Sequence, residues 1–242
     1  MKKIVMITGA SRGIGYAAAK RFAKEQYPVV ITSSKRKEEL KKAEENLKQY
    51  GGLVLSFLAD AGDYKQMEKV VRETEHQLGT VEILVNNAGI AWIGLFQDME
   101  YLVYEQMIRT NLLSVMHSSH LVIPGMIHKK AGKIINISSV WGNVGASCEA
   151  AYSAAKSGVN GFTRALGKEL APSHIQVNGI ACGVIDTQMN DCLTLEEKEQ
   201  LIEEIPAGRF GQAEEVAELV YQIAVGHEYL NGQIITLDGG WI

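Results

Sequence analysis

Short, nearly continuous apolar runs recur along the chain at 3–8, 29–33, 54–58, 83–86, 133–138, 176–180 and 233–237. They do not alternate apolar with polar. A strand that is apolar on both faces belongs inside a parallel sheet covered on both sides. Between the runs lie stretches at 15–25, 37–50, 64–78, 102–129 and 151–170, long enough for crossover helices. Repeated strand–helix units with right-handed crossovers build an α/β fold, a doubly wound parallel sheet of about seven strands with helices on both faces. No Pro/Ser/Gly linker, internal repeat or low-complexity tract divides the chain, so a single domain over 1–242 is expected. The acidic segment Glu196-Glu197-Lys198-Glu199 reads as a solvated helix.

Composition narrows the classes. Lys plus Arg number 24 and Asp plus Glu 28, a net charge of −4, which lacks the basic excess of a nucleic-acid binder. No apolar run approaches the ~18 residues of a membrane-spanning helix, so no membrane partner is expected. The opening MKKIVMITGASR has an apolar stretch too short for a secretory leader, and Thr8, Gly9 and Arg12 break it. Cys148, Cys182 and Cys192 form neither a CxxC pair nor an even framework, which points to a reducing, cytoplasmic setting.

The first apolar run leads straight into Thr8-Gly9-Ala10-Ser11-Arg12-Gly13-Ile14-Gly15 and then a helical pattern. Gly9 permits a tight turn. Gly13 and Gly15 let backbone approach a pyrophosphate and let helix pack on strand, while the helix start offers free N–H groups to phosphate. The plainer alternative is a glycine-rich turn that only joins strand to helix. The second run ends in Ile31-Thr32-Ser33-Ser34-Lys35-Arg36-Lys37, where an NAD site usually carries an acid for the ribose hydroxyls. Here hydroxyls and cations stand instead. They suit the 2′-phosphate of NADP(H), unless Lys35 to Lys37 are merely a solvated helix start.

Ser139, Tyr152 and Lys156 form the sharpest constellation. Tyr152 and Lys156 stand four residues apart on one predicted helix and share a face. Ser139 falls just beyond a predicted strand's carboxyl end, where open α/β sheets bind ligands. A Tyr of ordinary pKa about 10 exchanges protons poorly at neutral pH, and a nearby ammonium lowers that value. A surface Tyr–Lys pair beside a loop serine is the alternative. His117 and His120, three apart on a predicted helix, have no third ligand in sight, so no metal is expected.

With these residues in place the chain resembles the short-chain dehydrogenase/reductase family across essentially its whole length. The glycine loop 8–15, Asn86-Asn87-Ala88-Gly89, Asn111, Ser139, Tyr152, Lys156 and Asp238-Gly239-Gly240 carry the likeness. It implies a Rossmann-type fold with a small substrate-helix region around 187–212. It also implies roles. Tyr152 would be the general acid, Ser139 would polarise the carbonyl, and Lys156 would hold the nicotinamide ribose. Asn111 would order a water beside Lys156. Asp60 would contact adenine, Asn87, Ala88 and Gly89 would line the cofactor, and Gly183, Ile185 and Thr187 would meet its carboxamide or phosphate region. Arg12 resembles the basic residue beside the 2′-phosphate. Where many members have Pro-Gly after the sixth strand, this chain has Cys182-Gly183, which would loosen the loop; Cys182 itself reads as a small buried hydrophobe.

Within the family the likeness is strongest to bacterial 3-oxoacyl-acyl-carrier-protein reductases, in 81–89, 153–170 and 205–211. That implies a homotetramer and docking of an acyl carrier protein, for which Lys129 and Lys130 resemble half of a basic patch; Ser173 and His174 stand at the other half. The stretch Trp141-Gly142 to Gly145-Ala146-Ser147-Cys148-Glu149 resembles a branch that reduces 5-aminopentanone on elongation factor P. Glu149, three residues before Tyr152, would then face a cationic substrate group, or else simply favour a helix start. A non-catalytic dinucleotide-binding regulator is the alternative of another class.

Overall fold

A computed structural model describes residues 2–191 and 193–242, so Cys192 lies outside the described residues. In chain order, β1 (Ile4–Ile7) leads to α1 (Gly13–Lys24), β2 (Val29–Ser33), α2 (Lys37–Lys48), β3 (Val54–Leu58), α3 (Tyr64–Gln77) and β4 (Val81–Asn86). Then come α4 (Tyr101–Ile108), α5 (Ser114–Lys129), β5 (Gly132–Ser139), α6 (Trp141–Val144), α7 (Ala150–Leu170) and β6 (Ile175–Cys182). The chain continues through β7 (Ile185–Asp186), α8 (Leu195–Glu204), β8 (Gly211–Gln212), α9 (Ala213–Val225) and β9 (Ile234–Leu237).

Seven strands form one parallel sheet in the order β3-β2-β1-β4-β5-β6-β9. The order reverses between β1 and β4, and the crevice beyond their carboxyl ends is where such sheets bind ligands. Both faces of the sheet are apolar because alternate residues serve opposite cores. Val5, Ile7, Ile31, Val85 and Ile135 pack with α1, α2 and α9. Ile4, Met6, Val30, Leu84 and Ile134 pack with α3, α5 and α7. The expected fold class is the observed one.

Three local differences from the sequence reading matter. The single helix expected over 102–129 is divided: a π-helical turn, Arg109–Leu113, separates α4 from α5 and carries the fully buried Asn111. Apolar periodicity cannot register one inserted turn, and such bulges recur at functional sites. Ser139 is the last residue of β5, register-paired with Cys182, rather than a residue beyond the strand. Finally, α9 was not among the expected helices. Its start is marked by a capping box from Gln212 to Glu215, and Val216, Ala217, Val220, Ile223 and Ala224 are buried at helical spacing.

Candidate active site

The glycine turn and the end of β4 are built as one unit. The Thr8 hydroxyl accepts the N–H groups of Asn87 and Ala88 at 3.0 and 3.1 Å. The Asn87 amide donates back to the carbonyls of Thr8 and Gly9 at 3.0 and 2.9 Å. Gly9 has φ of +65°, and a side chain there would meet Ala88 Cα at 2.8 Å. A Cβ on Gly15 would meet the Gly9 carbonyl oxygen at 2.6 Å, so α1 seats directly on the turn. Arg12, at the N-cap of α1, makes no side-chain capping bond, since a guanidinium offers no acceptor to the first-turn N–H groups. The first-turn N–H groups are thus left for an anion.

Two cavities open on this unit and share Ile14, Asn87, Gly89, Thr187 and Met189. One, about 450 Å³, is lined by Gly9, by Ser11 to Ile14, by Ser33, Ser34, Lys35 and Arg36, and by Asp60. The buried Thr32 hydroxyl on its wall has no hydrogen-bond partner among the described residues. Cations, hydroxyls, uncapped N–H groups and an orphaned hydroxyl along one cleft fit the adenosine and phosphate half of a dinucleotide. Ser33 is buried at the end of β2, and Arg36 is paired with Glu39 at 2.7 Å. The Asp60 carboxylate accepts the Gly62 N–H at 2.9 Å and lies 3.7 Å from the Arg109 guanidinium.

The other cavity, about 470 Å³, brings Ser139, Tyr152 and Lys156 together with Gly89, Gly183, Ile185 and Thr187. Their relative positions are locked from behind. The Ser138 hydroxyl donates to Asn160 Oδ1 at 2.6 Å, and the Asn160 amide donates to Asn143 Oδ1 at 2.9 Å, tying β5, α7 and α6 together. Lys156 Nζ donates to the Ile137 carbonyl at 2.9 Å and lies 5.6 Å from the centre of the Tyr152 ring. The Ser139 hydroxyl accepts the Trp141 N–H at 3.2 Å.

Burial governs the charges here. It pushes the Tyr152 phenol above its ordinary value; the Glu149 carboxylate adds to the rise, and a hydrogen bond with Ser139 opposes it. Burial pulls the Lys156 ammonium down to about 8. The Cys182 thiol is pushed up to about 12 by burial, against the pull of Lys156, so it stays a thiol. The apolar surroundings, Glu149 and Cys182 raise the Tyr152 phenol and the Ser139 hydrogen bond lowers it, while Lys156 Nζ stands 5.6 Å from the ring centre. Glu149 is itself raised by burial, against a hydrogen bond from the Trp141 indole.

Of the sequence-predicted residues, Gly15 and Asn111 line neither cavity. Asn111 braces the wall instead: its amide donates to the Ile90 carbonyl and its oxygen accepts the Ile90 N–H, both at 2.8 Å. Cys182 does not loosen the chain. It pairs within the sheet with Ser139 on one side and Leu237 on the other, and Gly183 N–H continues the ladder to Leu237 O at 2.9 Å. Gln106 and Thr110 on the adenosine side, and Trp241 on the other, were missed. They reach the cleft from elements distant in sequence and carry no local motif. His120 shares a 3.0 Å hydrogen bond with Tyr64. Lys129 is paired with Glu82 at 3.5 Å. Lys129 and Lys130 precede β5 and Ser173 and His174 precede β6; Gly132 pairs with Ile175, so the two loops meet at the sheet end opposite Ser139.

This sheet order, uncapped glycine turn and Ser–Tyr–Lys cavity define a dinucleotide-dependent oxidoreductase. A sequence model of the short chain dehydrogenase family matches residues 3–198, and the chain belongs to that family. It is 37% identical over 241 residues to the 3-oxoacyl-[acyl-carrier-protein] reductase FabG of Staphylococcus aureus, covering 99% of this chain and 98% of the relative. The FabG of Thermotoga maritima is 36% identical over 241 residues, with 99% and 98% covered. The uncharacterized oxidoreductase YmfI of Bacillus subtilis is 34% identical over 242 residues, with 100% and 99% covered. Family membership makes this chain an oxidoreductase acting on CH–OH groups through a nicotinamide dinucleotide. No helix among the described residues is long and apolar enough to cross a membrane.

Proposed function

We propose that this protein reduces a carbonyl to a secondary alcohol with NADPH, and that its substrate is a 3-oxoacyl thioester carried on an acyl carrier protein. The observation that carries the reading is the meeting of Ser139, Tyr152 and Lys156 in a cavity continuous with the dinucleotide cleft. Ser33, Ser34, Lys35 and Arg12 would hold the 2′-phosphate, Asp60 the adenine end, and Gly13 to Gly15 the pyrophosphate. Asn87, Ala88, Gly89, Gly183, Ile185 and Thr187 would hold the nicotinamide end. When bound, the reduced cofactor supplies hydride to the carbonyl carbon.

The chain's own residues supply the rest. The Ser139 hydroxyl donates to the carbonyl oxygen and fixes its direction. Tyr152, kept neutral by burial and by Glu149, gives its phenolic proton to that oxygen as charge develops there. Lys156 is buried and anchored on the Ile137 carbonyl with its Nζ 5.6 Å from the centre of the Tyr152 ring, and its ammonium would stabilise the phenolate that remains. Asn111 holds Ile90 and thereby the wall at Gly89; a Cβ on Gly89 would lie 3.3 Å from Asn111 Oδ1 and 3.9 Å from Lys156 Nζ. The test is NADPH oxidation with an acetoacetyl thioester. Turnover supports the reading, and dinucleotide binding without turnover on any carbonyl would make the protein a regulator on the same fold. The assembly we expect is a homotetramer, measurable by light scattering.

One observation favours a second substrate class. Glu149 lines the reaction cavity, and its side-chain partner is the Trp141 indole rather than a cation. A half-buried carboxylate there suits an ammonium on the substrate, as in an aminoketone. A desolvated charge-assisted hydrogen bond is worth roughly 1.5–3 kcal/mol, about tenfold or more in kcat/KM. A substrate panel pairing acyl-carrier thioesters with aminoketones decides between the two. A preference for aminoketones that Glu149→Gln abolishes would displace the acyl-carrier reading.

A further inference from the structure

We infer that Trp141 and Trp241 form a fixed end wall of the reaction cavity that restricts substrates to a short chain beyond the carbonyl. The inference rests on the carbonyl-reductase reading and adds a size limit to it. Both indoles line the cavity that holds Ser139 and Tyr152. Their ring centres are 4.8 Å apart and the planes cross at 61°, an edge-to-face contact between residues a hundred positions apart in sequence.

Each ring is held from behind. The backbone N–H of Trp141 donates to the Ser139 hydroxyl at 3.2 Å, and its indole is bonded to Glu149. Trp241 sits on a turn in which the Asp238 carboxylate accepts the N–H groups of Gly240 and Ile242, both at 2.9 Å. That turn is pinned to the sheet, because Gly183 N–H donates to Leu237 O at 2.9 Å and a Cβ on Gly183 would meet Asp238 Cβ at 2.7 Å. The wall is therefore part of the sheet's carboxyl edge.

The thioester arm of a 3-oxoacyl substrate leads to a bulky carrier and must leave by the open side, where Ile93 and Met189 are about half exposed. The alkyl arm on the far side of the carbonyl is then the one turned to the indoles. Each added methylene presses on the ring pair and toward the Glu149 carboxylate, a surface that rejects apolar tails. At a closed pocket one methylene changes kcat/KM by roughly 10–200-fold.

The experiment measures kcat/KM with NADPH for N-acetylcysteamine thioesters of 3-oxobutanoate, 3-oxohexanoate and 3-oxooctanoate. For the wild type we expect a fall of about tenfold or more from the shortest to the longest. Trp241→Ala should bring that ratio to within about threefold of unity, and Trp241→Leu should give an intermediate ratio. The Leu variant decides the matter if the Ala variant fails to fold. A flat wild-type profile, or an unchanged ratio in a folded Trp241 variant, overturns the wall while leaving the reductase reading intact. Failure to oxidise NADPH with every carbonyl, while dinucleotide binding is normal by fluorescence, overturns the reductase reading and the wall with it.

Discussion

The Tyr152 phenol lies among apolar neighbours with the Glu149 carboxylate nearby, and both keep its proton in place. Deleting the hydroxyl as Tyr152→Phe leaves the ring and removes the acid we propose. A positioned general acid contributes ~10²–10⁴-fold, so kcat should fall at least about a hundredfold with the dissociation constant for NADPH nearly kept. Single-turnover kinetics and a cofactor titration check both halves. Glu149→Gln tests the electrostatics. The carboxylate opposes formation of a phenolate, so neutralising it lowers the Tyr152 pKa. The alkaline limb of the kcat profile for reduction should then move to lower pH, and an unmoved limb would disconnect Glu149 from Tyr152. At the other end of the cleft, Ser33→Asp puts a carboxylate where we propose the 2′-phosphate lies. The wild type should prefer NADPH, and the variant should shift toward NADH, read as the ratio of the two kcat/KM values.

At the scale of elements, the cleft we assign to the cofactor depends on how α1 meets the turn after β1. Gly15→Ala places a methyl 2.6 Å from the Gly9 carbonyl oxygen and against the Asn87 amide, so helix and turn must separate. Overpacking of a tight junction costs about 1–3 kcal/mol. Urea unfolding should show that loss, and cofactor affinity should fall with it, since the same junction positions the uncapped N–H groups. Legibility differs from element to element. The glycine turn was readable because its spacing encodes a local backbone requirement. The π-helical turn at Arg109–Leu113 was not, because its flanks keep a helical pattern and only hydrogen-bond geometry reveals the extra residue. The helix α9 shows helical spacing and a capping box, yet it is absent from the helices expected on sequence.

For the molecule as a whole, the question is where a carrier protein would dock. Lys129 and Lys130 stand at the opposite end of the sheet from Ser139, and Lys129 is already paired with Glu82. A charge reversal there is remote from the reaction cavity of the same chain. If the carrier docks on this patch, Lys129→Glu with Lys130→Glu should weaken reduction of a carrier-linked substrate, and the remoteness of the patch means that a free thioester should be spared. The difference should shrink as salt rises and screens the docking charges. Equal effects on both substrates would remove these lysines from carrier recognition.

The sequence by itself determined the parallel sheet, because strands buried on both faces are apolar along most of their length rather than at alternate positions. It also determined the glycine turn, whose glycines answer a local demand for positive φ and close approach. Tyr152 and Lys156 were placed on one face by helical spacing alone. Tertiary structure decided what those residues experience. The bracing of Ile90 by Asn111, the ladder that holds Cys182 in the sheet, and the burial that raises the Tyr152 phenol and lowers the Lys156 ammonium all come from neighbours distant along the chain. Trp241 shows the limit most clearly. Nothing around it in sequence marks a wall of the reaction cavity, and it becomes one because β9 lies beside β6 and its following turn carries the indole to Trp141. Spacing reports on neighbours along the chain, whereas pKa, cavity shape and docking geometry depend on neighbours in space.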